Sequence, residues 1–289
     1  MPLLANIIGA GHLGKSIARL LLDKQRVFIG AICNTSEHST RQALDFIGAG
    51  EYCPDIGALP AADLTLIATP DEHIHEACLA LANNHDLKSG SVVLHCSGSL
   101  TSDLLSPARE AGCLVASIHP MRSFARPDIS VREFAGTYCA LEGDAGAKSI
   151  VRSLFDAIGA ITYDIEKDKK SLYHAAGVFA SNYLVTLSQQ ALSCLREAGV
   201  EQDMAMRIIS NLMQGTVSNL ASTLSPECSL TGPIQRGEAA TLGKHMHALS
   251  GTERETLYAN LGLATLALSP ADDSKKEDMR NALESSNHG

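Results

Sequence analysis

A chain of 289 residues, 45% of them hydrophobic, is long enough to bury a sizeable core and to form about two domains. Its 23 Lys and Arg against 32 Asp and Glu give a formal net charge of −9, and no basic run exceeds the pairs at 169–170 and 275–276, which argues against nucleic acid or anionic membrane as a partner. The eight cysteines are scattered singly, without the spacing of a zinc site, so no metal is expected and the thiols read as reduced and mostly buried in a cytoplasmic protein.

The opening "MPLLANIIGAGHLG" lacks a basic leader and breaks at glycines, so neither a secretion signal nor a membrane span is expected there. Short β-branched runs at 4–8, 27–32, 63–68, 91–95 and 114–118 alternate with amphipathic stretches at 12–23, 36–48, 71–83 and 100–110. That alternation predicts βαβ units and a mostly parallel, doubly wound sheet. Two further strands, 137–142 and 160–165, flank a helix at 145–158 and extend the sheet. From Lys167 onward the strand signals stop, and helical spacing, interrupted at 224–237, predicts an all-α second domain. The expected division is residues 1–165 for an α/β Rossmann domain and 166–289 for the helical domain, with 270–289 a frayed helix or mobile tail.

"IIGAGHLGKSIARLLL" sets Gly9, Gly11 and Gly14 between a strand and a helix. In a dinucleotide turn the first glycine permits the tight bend, the second lets backbone approach the pyrophosphate, and the third lets helix pack on strand. His12 and Leu13 lie inside the loop, His12 as a solvent-facing neighbour of the phosphates. A structural glycine turn and an S-adenosylmethionine site are the competing readings. About 20 residues on, where a carboxylate would bind a ribose 2′-OH, stand Asn34, Thr35 and Ser36, with Arg41 shortly after. Neutral hydroxyls with a nearby Arg suit a 2′-phosphate, favouring NADP(H) over NAD(H), although Glu37 could take the acidic role. Ala68, Thr69 and Pro70 end the 63–68 strand, either beside a cofactor ribose or as ordinary helix initiation with Asp71.

"LHCSGSL" (94–100) and "IHPMRSF" (118–124) end two further strands and aim His95, Ser97, Gly98, His119, Arg122 and Ser123 at one crevice. Taken singly, Ser97 reads as a helix cap and His119 as a satisfied core histidine. "KKSLYHAAGVFASNYLV" (169–185) reads as one buried helix packed on several sides. On a helical wheel with Lys170 at zero, Ser181, His174 and Gly177 fall at about 20°, 40° and −20°, and Asn182 at about 120°. Lys170 is then the general acid or base and His174 its partner, with Ser181 and Asn182 on the substrate side. Finally, Thr231, Gly232 and Arg236 precede a helix, as an anion cradle or, for Arg236, as a bridge between helices.

These motifs, chiefly "HPMRSF", "ALEGD" (140–144), "YHAAGVFASNY" (173–183) and "LTGPIQRGE" (230–238), resemble an uncharacterised Rossmann-like family whose C-terminal half is a domain of unknown function, number 2520. More distantly the chain is similar to the 6-phosphogluconate dehydrogenase-like superfamily, with its β-hydroxyacid dehydrogenases, ketopantoate reductases and pyrroline-5-carboxylate reductases. The family usually carries Asp where this chain has Glu238, and the dehydrogenases pair their catalytic Lys with an Asn four residues on, where this chain has His174. The resemblance implies a homodimer formed through the helical domain. Together the readings predict an NADP(H)-dependent oxidoreductase acting on a small keto or hydroxy substrate bearing a carboxylate or phosphate. Two alternatives stand beside it: an imine reductase, and a non-catalytic NADP(H)-binding sensor or scaffold.

Overall fold

The computed structural model describes residues 1–285. By its internal contacts the chain divides into two compact units, Met1–Ala180 and the remainder from Ser181. The division falls later than the 165/166 boundary expected from the end of the strand signals, because the first turns of the Lys170 helix go with the sheet.

In the first unit, β1 (Leu3–Ile8), β2 (Val27–Cys33), β3 (Glu51–Tyr52), β4 (Leu64–Ile67), β5 (Val92–His95), β6 (Leu114–Pro120), β7 (Tyr138–Gly143) and β8 (Ile161–Asp164) form one sheet in the order β3-β2-β1-β4-β5-β6-β7-β8. All pairs are parallel except β6 with β7. Successive strand residues point to opposite faces, so Ile7, Leu66 and Leu94 enter one core while Ile8, Ile67 and Val93 enter the other. The first core is closed by α1 (His12–Asp23) and α6 (Ala145–Ala157), which contribute Ile17, Leu21, Val151 and Phe155. The second is closed by α3 (Ile74–Ala82) and α4 (Ser106–Glu110), through Ile74, Cys78, Leu81 and Ala108. Burial on both faces is why these strands read as continuous apolar runs. The strand order reverses between β1 and β4, and in open α/β sheets ligands bind outside the carboxyl ends at such a point.

The two-residue strand β3 and the short helix α5 (Pro127–Arg132) were not anticipated; each is too brief to show a period. α2 (Glu37–Ile47) follows β2 as expected.

The expected single buried helix over 169–185 is corrected in two respects. α7 (Lys170–Gly177) passes into a π-helical segment, Val178–Asn182, before α8 (Tyr183–Glu197). A π segment does not keep the 3.6-residue period, so the wheel that aligned Ser181 with Lys170 breaks at Gly177. Lys170 is the buried residue of α7, whereas Leu172 and Phe179 are 72% and 70% exposed, so the apolar residues do not line a core.

The second unit comprises α8 and α9 (Gln202–Thr223), the short α10 (Pro226–Ser229) and α11 (Pro233–Arg236), and α12 (Ala239–Leu249), α13 (Glu253–Leu266) and α14 (Asp273–Glu284). Leu242, Met246, Leu266, Met279 and Leu283 form its buried core. The expected mobile tail is thus corrected up to Ser285: α14 is docked by Met279 and Leu283 and capped by Asp272, whose carboxylate accepts from the Lys275 backbone N–H. Residues 286–289 lie outside the described residues.

Candidate active site

The β1–α1 turn has the geometry its glycines foretold. Gly9 has φ +83°, and a Cβ there would lie 2.7 Å from the Thr69 nitrogen. A Cβ on Gly14 would lie 2.4 Å from the Gly9 carbonyl oxygen, so Gly14 lets α1 pack on the turn. At Gly11 a Cβ would meet nothing within 4 Å, leaving the exposed backbone at the start of α1 open to approach by a ligand. A cleft of about 640 Å³ opens here, lined among others by Gly9, Gly11, Asn34, Thr35, Ala68, Thr69 and Pro70. Thr69 lines this cleft, and its buried Oγ1 has no hydrogen-bond partner among the described residues.

The other expected cofactor residues stand elsewhere. His12 is exposed, and its carbonyl accepts from Ser16 Oγ; Leu13 packs against the core; Ser36 caps α2 by accepting from the Ser39 N–H. Arg41 points along the surface of α2, where it donates to Glu37 Oε1 one turn back, so it does not reach the cleft. Asn34 does line the cleft, but its Oδ1 is engaged by the Ala10 N–H at 2.6 Å and braces the turn. Ser39, Asp55 and His73 were missed as cleft residues. They come from separate elements, and no local motif marks them.

Beyond the turn, a polar row runs across the sheet. His95 pairs with Ser117 in the β5–β6 register, and Ser117 with Glu142 in the antiparallel β6–β7 register. Residues opposite one another share a face, and all three are buried. Lys170, 2% exposed, drops its ammonium into this row. It donates to the Ser97 carbonyl at 2.9 Å and to Ser117 Oγ at 2.5 Å, and lies 3.6 Å from Glu142 Oε1. The Glu142 carboxylate in turn accepts from Ser102 N–H and Oγ, both at 2.7 Å. Burial holds the Lys170 pKa below the ordinary amine value, against the opposing pull of Glu142. Lys170, expected as the general acid or base, is held beneath the "HCSGS" loop by its bond to the Ser97 carbonyl. Glu142 was missed as a site residue, although it stands as a lone acid ending an apolar strand, inside the "ALEGD" motif.

His95 is a satisfied core histidine. Its Nδ1 accepts from the Ser97 N–H, so its Nε2 donates to the Thr101 carbonyl, and burial followed by the nearby Lys170 charge lowers its pKa to about 4. Ser97 Oγ donates to Asp71 Oδ2 at 2.8 Å and accepts from the Leu100 N–H. Ser99 Oγ also donates to Asp71, which ties this loop to the loop after β4 that carries Thr69. Arg122 turns away to the Glu133 carbonyl and carboxylate. His119 stays: its Nδ1 lies 3.0 Å from Tyr173 OH, and its ring stands edge-on to His174 at 5.8 Å. Burial, then His174 and Lys170, lower the His119 pKa to about 4.

Ser181, Asn182, Thr231, Gly232 and Arg236 belong to the second unit. Ser181 and Asn182 are exposed in the π segment. Arg236 is clamped by Glu238, with Nε to Oε1 at 2.6 Å and Nη2 to Oε2 at 3.0 Å, rather than bridging helices. Among the described residues, no cluster of three or more His, Cys, Asp or Glu side chains is arranged to hold a metal, and no helix is long and apolar enough to cross a membrane.

A sheet of this order with an open glycine turn at its switch point defines a Rossmann-like protein, and residues 2–120 match the Rossmann-like domain. Residues 137–265 match the domain of unknown function DUF2520, so the two matches follow one another along the chain. The second match starts at β7 and thus takes in Glu142, Lys170 and His174. Among solved structures the chain is similar to protein TM1727 from Thermotoga maritima, at 26% identity over 97% of this chain and 98% of that one, with TM-score 0.70. A putative NADP oxidoreductase, BF3122 from Bacteroides fragilis, shares the fold at 19% identity over 92% of this chain and 98% of that one, with TM-score 0.74. So does a pyrroline-5-carboxylate reductase from Coxiella burnetii, at 15% identity over 98% and 96%, with TM-score 0.58. No curated protein matches.

Proposed function

We propose that the chain is an NADP(H)-dependent oxidoreductase that passes hydride to or from a small polar keto or hydroxy substrate. The observation that carries this reading is the pairing of the open Gly11 turn with the unsatisfied Thr69 Oγ1, one loop away from a cluster of titratable side chains. Gly9, Gly11 and the start of α1 would hold the pyrophosphate, and Thr69 with Ala68 the ribose toward the nicotinamide. A bound nicotinamide supplies or accepts the hydride. The preference for the 2′-phosphorylated form rests on the neutral Thr35 and Ser39 hydroxyls in the cleft; Arg41 joins only by exchanging Glu37 for the phosphate. The fold is shared with a putative NADP oxidoreductase, a pyrroline-5-carboxylate reductase and an imine reductase, which supports oxidoreductase chemistry and keeps C=N reduction as the second reading.

The chain is further proposed to work in the cytoplasm, consistent with eight free thiols, and as a homodimer through α9, whose Leu212, Val217 and Leu220 are exposed apolar residues. Titrating the full chain with NADPH and NADH by calorimetry tests the cofactor. Tighter NADPH binding is expected, and no binding of either overturns the reading. For the dimer, Leu212→Glu is expected to give a monomer by light scattering; an unchanged mass removes this surface from consideration.

A further inference from the structure

Gly98 is buried at the end of β5, and two imidazoles from distant parts of the chain lean on it. A Cβ there would lie 2.4 Å from His174 Nδ1 and 2.9 Å from both Nε2 and Cε1 of His119. The two rings are not equivalent. His119, at the end of β6, is half-buried and bonded through Nδ1 to the Tyr173 phenol. His174, one residue past Tyr173, is exposed.

The Tyr173 phenol lies 3.0 Å from His119 Nδ1 and 3.5 Å from the His119 carbonyl oxygen; with its O–H directed into Nδ1, the shorter contact, the single proton of a neutral imidazole is on Nε2, the edge that faces Gly98. Lys170, by contrast, spends its ammonium on Ser97, Ser117 and Glu142 and presents no group at this edge. Its bond to the Ser97 carbonyl fixes the residue just before Gly98, and so the floor on which both rings rest.

Resting on the oxidoreductase reading, we infer that His174 exchanges the proton that accompanies hydride transfer, that His119 holds the substrate oxygen or nitrogen through Nε2–H, and that Tyr173 and Lys170 are positioning residues. In the reductive direction, as hydride bonds to the substrate carbon, the C=O or C=N π pair passes to the heteroatom. The heteroatom takes a proton from the His174 imidazolium, whose N–H bond breaks, and the neutral ring regains its proton from water. The His119 N–H stabilises the developing charge without leaving its ring. The titratable groups about the rings are Lys170 and Tyr173 on α7, Asp71 after β4, and Glu142 behind Lys170 on β7. This differs from a lysine acid–base role, because the ammonium is walled off by the loop it supports.

The test uses the full chain with isotope-labelled histidine, NADPH as cofactor, and pyruvate and 1-pyrroline-5-carboxylate as ketone and imine probes. Ring NMR is expected to show His119 in the Nε2–H form throughout pH 5 to 8, and Tyr173→Phe to convert it to a mixture of tautomers while NADPH affinity stays unchanged. His174→Ala is expected to lower kcat about 10²–10⁴-fold with little change in KM, and added imidazole to restore part of it. Lys170→Met lowers kcat without imidazole rescue. An Nδ1–H tautomer of His119 in the wild type, or turnover by His174→Ala at the wild-type rate, would overturn the assignment. Failure of NADPH to bind would strike the oxidoreductase reading instead, and the ring spectra, recorded without cofactor, would still decide the tautomer.

Discussion

Two glycine-bearing turns stand at the carboxyl edge of one sheet, and they use the missing side chain differently. At the β1–α1 turn, Gly9 clears room for the backbone of the loop after β4 and Gly14 for the turn's own carbonyl, while Gly11 faces open space that a ligand can enter. After β5, Gly98 clears room for the protein's own side chains, His119 and His174. The glycine spacing of the first turn is written within six residues of sequence, although Asn34 and the loop after β4 pack against it. The second exists only once β5, β6 and α7 have come together, so its strength depends on whatever holds those elements in register.

That dependence can be broken most forcibly at Lys170. Lys170→Met leaves Glu142 buried with no cation beside it, and stranding one member of a buried pair costs about 3–5 kcal/mol. Urea unfolding measures the loss. The double variant with Glu142→Gln is expected to recover part of it, since no carboxylate is then left unpaired. Equal stability of Lys170→Met and wild type would mean that the pair does not hold α7 to the sheet.

The second turn should also feel pH where the first does not. His95, which accepts from the Ser97 N–H, has its pKa lowered from 6.5 to about 4, so as pH falls the unfolded chain takes up the proton first. Stability is therefore full above pH 6.5 and is lost as pH falls toward 4, by on the order of 3 kcal/mol. Unfolding at pH 7.0 and 4.5 measures this, and a His95→Gln variant whose loss between the two equals that of the wild type would place the acid sensitivity elsewhere. His119 contributes in the same direction.

The contrast between the turns also explains what could be read from the sequence. The strand–turn–helix frame around Gly9, Gly11 and Gly14 is encoded by neighbours along the chain, and strands 4–8, 27–32 and 91–95 came within a residue of β1, β2 and β5 because burial on both faces writes an apolar run. Lys170 and His174 stand out in the sequence as polar residues in an apolar stretch, yet the spacing that made them a stripe could not say that one is buried against the sheet and the other exposed. That orientation is set by Ser117 and Glu142, which meet only through the antiparallel pairing of β6 with β7. Arg41 and Arg236, read as anion holders, are each paired locally for a similar reason. Each has an acidic neighbour within reach, Glu37 one turn back and Glu238 two residues on, and an Arg beside a carboxylate pairs locally before it waits for a ligand.

Within the first turn the glycines can be separated from one another. Gly14→Ala forces a Cβ to within 2.4 Å of a backbone carbonyl that cannot rotate away, and overpacking of this kind costs about 1–3 kcal/mol. A fall in Tm is expected together with weaker NADPH binding. An unchanged Tm would show that α1 can slide on the turn.

Gly11→Ala should disturb the fold least of all. Its new Cβ meets nothing within 4 Å, and Gly11 has a negative φ of −67° that alanine adopts without strain, so stability should stay within about 0.5 kcal/mol of wild type. The same methyl would stand where backbone has to approach a pyrophosphate, so calorimetry should find NADPH binding weakened at least tenfold. A variant equal to wild type in both Tm and NADPH affinity would mean that the open space at Gly11 is not where the phosphates lie. A loss of both would mean that Gly11, like Gly98, is there to accommodate the protein's own packing.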